Sequence, residues 1–168
     1  YQAFSSVTSP QGFTLTDARF TRYLNNISTS LSDTNNVVMT RVRSEAFGDA
    51  TTADRTAVGT CYSMGNVVNL TMTDCIGIGG RSLLTGINNA TITRFVFADR
   101  INGTTLTTIP QSALQFQASA SNVTVTGFSF LPGVSNIHSY SAAITTNTTC
   151  NNITISDSGT FASPIDFG

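Results

Sequence analysis

Asn89 to Phe97, NATITRFVF, is the stretch on which the fold turns. Ala90 and Ile92 are apolar while Thr91 and Thr93 between them are polar, which is the period-two alternation of a half-buried strand, built from β-branched residues that favour extended backbone. After Thr93 the phase slips by one position. Apolar residues resume at Phe95 and Phe97, and Arg94 falls on the break. A slip of this kind predicts two short strands meeting at a corner, with Arg94 turned outward. Asn89, at the head of the stretch, is the turn residue that starts it.

The same element recurs five more times, as GFTLTDARF from Gly12, NVVMTRVRS from Asn36, NLTMTDCIG from Asn69, NVTVTGFSF from Asn122 and NITISDSGT from Asn152. Successive starts are 24, 33, 20, 33 and 30 residues apart. Such intervals suit the coils of a solenoid better than a sandwich, where turns come about every 8–12 residues. The second and fourth positions are apolar throughout: Phe13/Leu15, Val37/Met39, Leu70/Met72, Ala90/Ile92, Val123/Val125 and Ile153/Ile155. Past the corner, Ala18/Phe20, Phe95/Phe97 and Phe128/Phe130 take the inward places, so six of the eleven Phe fall on one face. Upstream strands match as well, because Ala113 and Ala143 each stand nine residues before the next turn Asn. One coil is too small to bury its own apolar side, so neighbours must stack into a continuous core. Six coils at a strand spacing of about 4.8 Å would stand roughly 25–30 Å tall, with open strand edges at both ends.

Composition agrees with that reading and removes others. The 168 residues carry a net charge of −1 and only 10% charged side chains, against about 25% in an ordinary domain. Thr (28), Ser (19) and Asn (14) dominate, and all eight positive charges are Arg. With 40% hydrophobic residues the chain has material for a core and is not a disordered polar segment. It has no basic surplus with which to neutralise phosphates, which excludes an electrostatic nucleic-acid binder. No run approaches the roughly 18 apolar residues of a membrane span, so no membrane insertion is expected. No signal peptide is recognisable, and a start at Tyr1 suggests a chain cut from something longer; residues 1–168 read as a single β-helix domain or a fragment of one.

Asn-apolar-Thr-apolar-Thr coils at irregular spacing resemble the right-handed parallel β-helix of the pectin-lyase-like superfamily. The Lys-free, Ser/Thr/Asn-rich composition is similar in particular to bacteriophage tailspikes and tail fibres. The resemblance covers about residues 12–160. It implies an all-β solenoid of about six coils, part of a homotrimer, in the outward-facing tail of a virion assembled in the host cytoplasm. It further implies bacterial surface glycan as receptor, and other tail proteins as partners through missing flanking regions. No cofactor and no metal are implied.

Two groups of residues are candidates for more than packing. The sixth position of the element reads Asp17, Arg41, Asp74, Arg94, Gly127, Asp157. Four successive coils alternate in sign, and stacking would bring opposite charges about 5 Å apart as cross-strand neighbours. A charged ligand strip is one reading; a structural charge ladder that holds coil register is the preferred one. The second group lies where length is added. The two 33-residue coils carry their insertions at nearly the same offset, EAFGDATTADR from Glu45 to Arg55 and DRINGTTLTTI from Asp99 to Ile109, while the coil between them has only Ile78, Gly79, Gly80 and Arg81 there. Two loops then flank a glycine-rich floor and enclose a groove roughly 9–10 Å wide. Loops on a rigid scaffold are where function concentrates.

That groove would gather Glu45, Asp49, Asp54 and Asp99 with Arg55, Arg81 and Arg100. Carboxylates about 6.5–9.5 Å apart would suit an inverting glycosidase, one as acid and one as base. Solvation of two surface loops explains the same acids without chemistry, and a non-catalytic glycan groove lies between. His138 and Tyr140, in the Leu131–Tyr140 stretch of the following coil, would extend a sugar-binding surface. The preferred reading is a structural and receptor-binding segment without enzymatic activity; the rival is a polysaccharide hydrolase or lyase, against which stand the short chain and the absence of Lys.

Other motifs carry less. Gly77, Gly79 and Gly80 form half a nucleotide loop without the helix it needs. Cys61, Cys75 and Cys150 lack metal-ligand spacing, and Cys75 falls on an inward position as a small hydrophobe. No Gly-x-Ser-x-Gly elbow accompanies the lone His. Of seven Asn-x-Ser/Thr sequons, those at Asn69, Asn89, Asn122 and Asn152 are the repeat itself; Asn26, Asn102 and Asn147 complete the set, and glycosylation is not supported.

Overall fold

The computed structural model describes residues 2–5, 11–23, 25–46, 60–78, 81–98, 114–131, 144–147 and 149–160. Every regular element among them is a strand. The first repeat holds β1 (Gln2–Ser5), β2 (Gln11–Thr16) and β3 (Arg19–Tyr23). In the second and third, one long strand does the work of the first two: β4 (Asn25–Thr40) precedes β5 (Arg43–Ala46), and β6 (Thr60–Thr73) precedes β7 (Ile76–Ile78). The fourth holds β8 (Arg81–Thr85), β9 (Asn88–Thr93) and β10 (Val96–Ala98), and the fifth β11 (Leu114–Gln117), β12 (Ser121–Thr126) and β13 (Ser129–Leu131). The sixth ends the series with β14 (Ile144–Thr146), β15 (Asn151–Ser156) and β16 (Gly159–Thr160).

All pairing is parallel and joins equivalent strands of successive repeats. The middle strands align Phe13, Val37, Leu70, Ala90, Val123 and Ile153 in one row, and Leu15, Met39, Met72, Ile92, Val125 and Ile155 in a second. Third strands stack in the order β16-β13-β10-β7-β5-β3 as a six-stranded sheet. First and middle strands belong to a ten-stranded sheet because β4 and β6 run through both positions. The result is all-β with stacked parallel strands, compatible with a β-solenoid.

The corners follow from the residues that occupy them. Asn36, Asn69, Asn89, Asn122 and Asn152 all have φ between 53° and 61°, and Gly12 stands in the same place with φ 94°. Left-handed backbone is costly for most side chains and cheapest for Gly and Asn, so the recurrent Asn is a backbone requirement. The second corner, at Asp17, Arg41, Asp74, Arg94, Gly127 and Asp157, is left-handed as well. Backbone hydrogen bonding continues through it: Arg41 N–H donates to Thr73 O at 2.9 Å and Arg94 N–H to Thr126 O at 2.8 Å. The one-residue phase slip therefore marks a turn that loses no ladder bond.

Inside, the residues read as inward are the buried ones. The six middle-strand pairs belong to one cluster with Phe95, Phe97, Phe128 and Phe130, the first and last repeats being only half-buried. Phe95 and Phe128 stack at 6.0 Å, Phe97 and Phe130 at 5.6 Å, and Tyr62 meets the edge of Phe95 at 5.5 Å. Neighbouring Cys61 and Tyr62 are both buried, which strict alternation forbids. A register shift between Thr60 and Tyr62 allows it by adding a residue to one strand. Gly77 faces Cys61 and Phe97, and a Cβ there would stand 3.4 Å from each. Gly77 thus leaves space for no more than a methyl group beside the extra inward residue.

Tyr62 is a polar tie inside this core. Its hydroxyl lies 2.7 Å from Val42 O and 3.0 Å from Ile76 O, and shares its single proton between two carbonyls of adjacent repeats. Burial pushes its pKa up, so it stays a neutral donor. Tyr62→Phe keeps the ring and removes the tie; the expected loss is about 1 kcal/mol, in the range of one neutral hydrogen bond. A lower urea midpoint at unchanged slope is the result to look for, and an unchanged midpoint would show that the hydroxyl contributes nothing.

Candidate ligand-binding surface

Length variation between repeats is largest in the passage from a third strand to the first strand of the next repeat; between first and middle strands it amounts to one or two residues, as in the shift between Ser30 and Thr34. Residues 47–59 join β5 to β6, 79–80 join β7 to β8, 99–113 join β10 to β11, and 132–143 join β13 to β14. The points of departure are in register, since Glu45 aligns with Ile78, Ile78 with Ala98, and Ala98 with Leu131. So are the points of return, with Thr60 aligned to Arg81 and Leu114 to Ser82 and Ile144. The two longest insertions consequently leave from one corner, on either side of the short 79–80 passage.

Of the residues singled out there, Asp49, Asp54, Arg55, Asp99, Arg100, His138 and Tyr140 lie outside the described residues. Arg81 opens β8 opposite Thr60, which places its backbone at the foot of the short passage. Glu45 lies within β5, and its surroundings are specific. Its side chain is 9% exposed and its Oε1 accepts from Arg19 Nη2 at 3.0 Å and from Arg43 Nε. Arg19 and Arg43 are aligned neighbours on β3 and β5, so two like charges stand side by side on the outer face. Glu45 is the counter-charge that makes that arrangement tolerable. Its oxygen is committed to two guanidinium groups, while Arg19 remains exposed and Arg43 partly so.

Next to this group the outer face of the third sheet changes character. Ile76 and Val96 continue the row of Arg19 and Arg43, and Ile78 and Ala98 continue the row of Glu45. All four alternate with the inward Gly77 and Phe97 and are only half-buried. An apolar strip thus runs along the outside of the sheet toward the insertion corner.

The second corner carries the charges. Arg41 grips Asp17 with two bonds, from Nε to Oδ1 and from Nη2 to Oδ2 at 2.8 Å. Arg94 grips Asp74 in the same way. The guanidinium hydrogen bonds hold the carboxyls of Asp17 and Asp74 below the usual carboxylate range and raise both arginines, and Asp74 feels Arg41 as well. A carboxyl that titrates lower when folded contributes stability above its unfolded pKa of about 3.9 and loses it as pH falls through the folded value. The melting temperature should therefore hold from neutral pH to about pH 5 and decline below about pH 4. In Arg94→Gln the acid decline should be shallower, which scanning calorimetry across pH 2–7 checks; an identical profile would remove Asp74 from the account. Arg41→Asp sets three aspartates in succession, and melting should fall most at low salt.

A further row had no warning in the composition. Asn69 Nδ2 donates to Asn36 Oδ1 at 3.1 Å, Asn89 to Asn69 at 2.6 Å, and Asn152 to Asn122 at 2.7 Å. Asn122 reaches Asn88 instead, at 3.2 Å, where Ser121 Oγ also donates. The turn Asn is thus both a left-handed corner and a rung between repeats, and the sequon amides at Asn69, Asn89, Asn122 and Asn152 are already engaged. Cys75 and Cys150 are free thiols, Cys61 Sγ donates to Ile78 O at 3.3 Å, and burial raises the Cys75 pKa, keeping it neutral. Among the described residues no three His, Cys, Asp or Glu side chains gather as a metal site, and no helix is long and apolar enough to cross a membrane. In comparisons with known proteins, no family model, no curated protein and no solved structure matches the chain.

Proposed function

We propose that the chain is a right-handed parallel β-helix of about six coils that serves as a structural and receptor-binding segment of a phage tailspike or tail fibre. In this reading it acts as a homotrimer in the outward-facing tail of the virion and recognises bacterial surface polysaccharide at the insertion corner. The observation that carries it is the concentration of the long insertions at one corner, their points of departure and return in register along the stack. A rigid column with insertions aligned on one side is a shape suited to lie along an extended polymer. The outward Thr, Ser and Asn rows suit a hydroxyl-rich ligand, and the exposed Arg19 with the half-buried Arg43 beside it favours one that carries carboxylates.

The test is retention of host-type capsular or lipopolysaccharide glycan by the full chain, assayed alongside release of reducing ends and unsaturated uronates. Retention without product supports the proposal. Product formation that Asp54→Asn or Asp99→Asn abolishes would replace it with a depolymerase.

The trimer is supported by the apolar strip of Ile76, Val96, Ile78 and Ala98, which a subunit neighbour would cover. Ile78→Arg is expected to convert a particle of three chains into one chain, with little change in the intrinsic fold. Light scattering decides this, and a wild-type particle of 17.7 kDa would end the trimer reading.

A further inference from the structure

The middle strands are the most regular part of the stack. Their register runs through the six repeats without a shift, whereas pairing elsewhere is interrupted between Ser30 and Thr34, Thr60 and Tyr62, and Thr21 and Tyr23. Side-chain ladders stand at both ends of these strands. The amides of Asn36, Asn69 and Asn89, and of Asn122 and Asn152, join at the entry corner; Arg41 pairs with Asp17 and Arg94 with Asp74 at the exit corner. Sheets twist unless ladders of this kind hold neighbouring strands in line, so the middle strands form the face best kept flat.

Two rows point outward from that face. One is Thr14, Val38, Thr71, Thr91, Thr124 and Thr154; the other is Thr16, Thr40, Thr73, Thr93, Thr126 and Ser156. Eleven of the twelve carry a hydroxyl. Strand propensity alone does not account for this, because the outer faces of the other strands are mixed: Ser63, Leu83 and Gln115 share one row, and Arg43, Ile76, Val96 and Ser129 another. Threonine is stiff about χ1, so its hydroxyl and methyl repeat with the backbone that carries them. Thr126 and Ser156 share a hydrogen bond at 3.3 Å, and the other nine hydroxyls have no protein partner among the described residues. Neither row contains a charge, and the corner charges beside them on Asp17, Arg41, Asp74 and Arg94 are paired.

Strand geometry fixes the spacing of this array. Rungs repeat at about 4.8 Å along the stack, and alternate residues of one strand stand about 6.6–6.8 Å apart. Water in ice is tetrahedral, with neighbouring oxygens about 2.75 Å apart, so second neighbours fall at about 4.5 Å and pairs of puckered layers repeat at about 7.3 Å. The two lattices agree to about a tenth in both directions, a misfit that waters lying between hydroxyl and crystal take up over a few repeats. A glycan chain calls for a concave site with aromatic side chains, and neither row offers one. We propose that the outward face of the middle strands binds ice, its hydroxyls ordering a layer of water that joins the crystal and its methyl groups filling the spaces between. Many weak contacts at fixed spacing add up because all engage together. This assignment does not depend on what the insertion corner binds, since that corner lies between third and first strands.

The probe is ice itself. Fluorescently labelled full chain is frozen slowly onto a cold finger, and its concentration in the ice is compared with that left in the liquid. The wild type should be enriched in the ice, from which an ordinary solute is excluded. Thr71→Lys and Thr124→Lys each set a long cation among the hydroxyls and should lower the enrichment about tenfold. Thr85→Lys makes the same change on the outer face of the first strands and should leave the enrichment as it was. Circular dichroism of the three variants should match the wild type, since all three positions are at the surface. Exclusion of the wild type from ice overturns the proposal whatever the variants do, and so does an equal loss in Thr85→Lys. Adsorption to microcrystalline cellulose in place of ice would overturn it as well and give the array to a crystalline glycan.

Discussion

Val125→Asp is expected to prevent folding at neutral pH, while Thr124→Asp, one residue earlier on the same strand, leaves the chain folded. Val125 is fully buried in β12, between Ile92 and Ile155 of the adjacent repeats, and Thr124 is exposed. An ionised carboxylate at position 125 would have apolar neighbours on both sides of the stack and no arginine within the core. Leaving a charge unpaired in such a site costs more than the 5–15 kcal/mol or so that holds an ordinary domain together. Protonation would relieve part of the cost, so partial refolding near pH 3 is expected of the variant. At position 124 the same carboxylate meets water, with Thr91 and Thr154 as its lateral neighbours, and surface changes of this kind fall within about 0.5 kcal/mol. Circular dichroism and denaturant titration of the two variants measure the difference directly. Equal behaviour of the pair would mean that β12 does not bury one face and expose the other.

That experiment probes the feature that was most legible in the sequence. Alternation along a strand is a local property, so Val123/Val125 and Phe128/Phe130 could be assigned to one face from spacing alone. The one-residue slip before Phe95 and Phe128 was equally visible, because the apolar positions change phase there. Repetition then placed strands beside one another without knowledge of any contact. The lateral bonds were not legible. Asn69 meets Asn36 and Asn89 through side-chain amides 33 and 20 residues away, and Asn122 turns to Asn88 instead of Asn89. The tie of Tyr62 depends on a register shift that brings two consecutive residues inward, and only Gly77, in the next strand segment, hints at it. Arg19 and Arg43 are unremarkable in sequence, and Glu45, read there as a groove residue, meets Arg19 only because β3 and β5 are adjacent. The insertion corner stands between these cases. Where the loops leave and return follows from repeat spacing, whereas their length and variety of sequence carry no periodicity from which a path could be read.

Phe95→Ala should be the most damaging truncation in the core, with an expected loss of about 3–5 kcal/mol. Phe95 is 1% exposed, stacks on Phe128 and receives the edge of Tyr62, so its removal opens a cavity lined by two rings that are held by their own strands. A backbone tied on both sides by parallel pairing has little freedom to collapse into the space, which places the cost toward the upper part of that range. For a chain of this length the melting temperature should fall by about 6–20 °C. Position in the stack matters as much as chemistry. Phe20 occupies the first repeat and is only half-buried, so Phe20→Ala should cost clearly less, since fewer atoms lose partners. The fourth repeat joins the early and late halves, and in a stack where each unit contacts only its neighbours a weak central unit uncouples the two sides. Phe95→Ala is therefore expected to lower the denaturant slope or split the transition in two, whereas Phe20→Ala should shift a single transition. If both variants shift one sharp transition by the same amount, the core is not a column of stacked repeats and its cooperativity has another source.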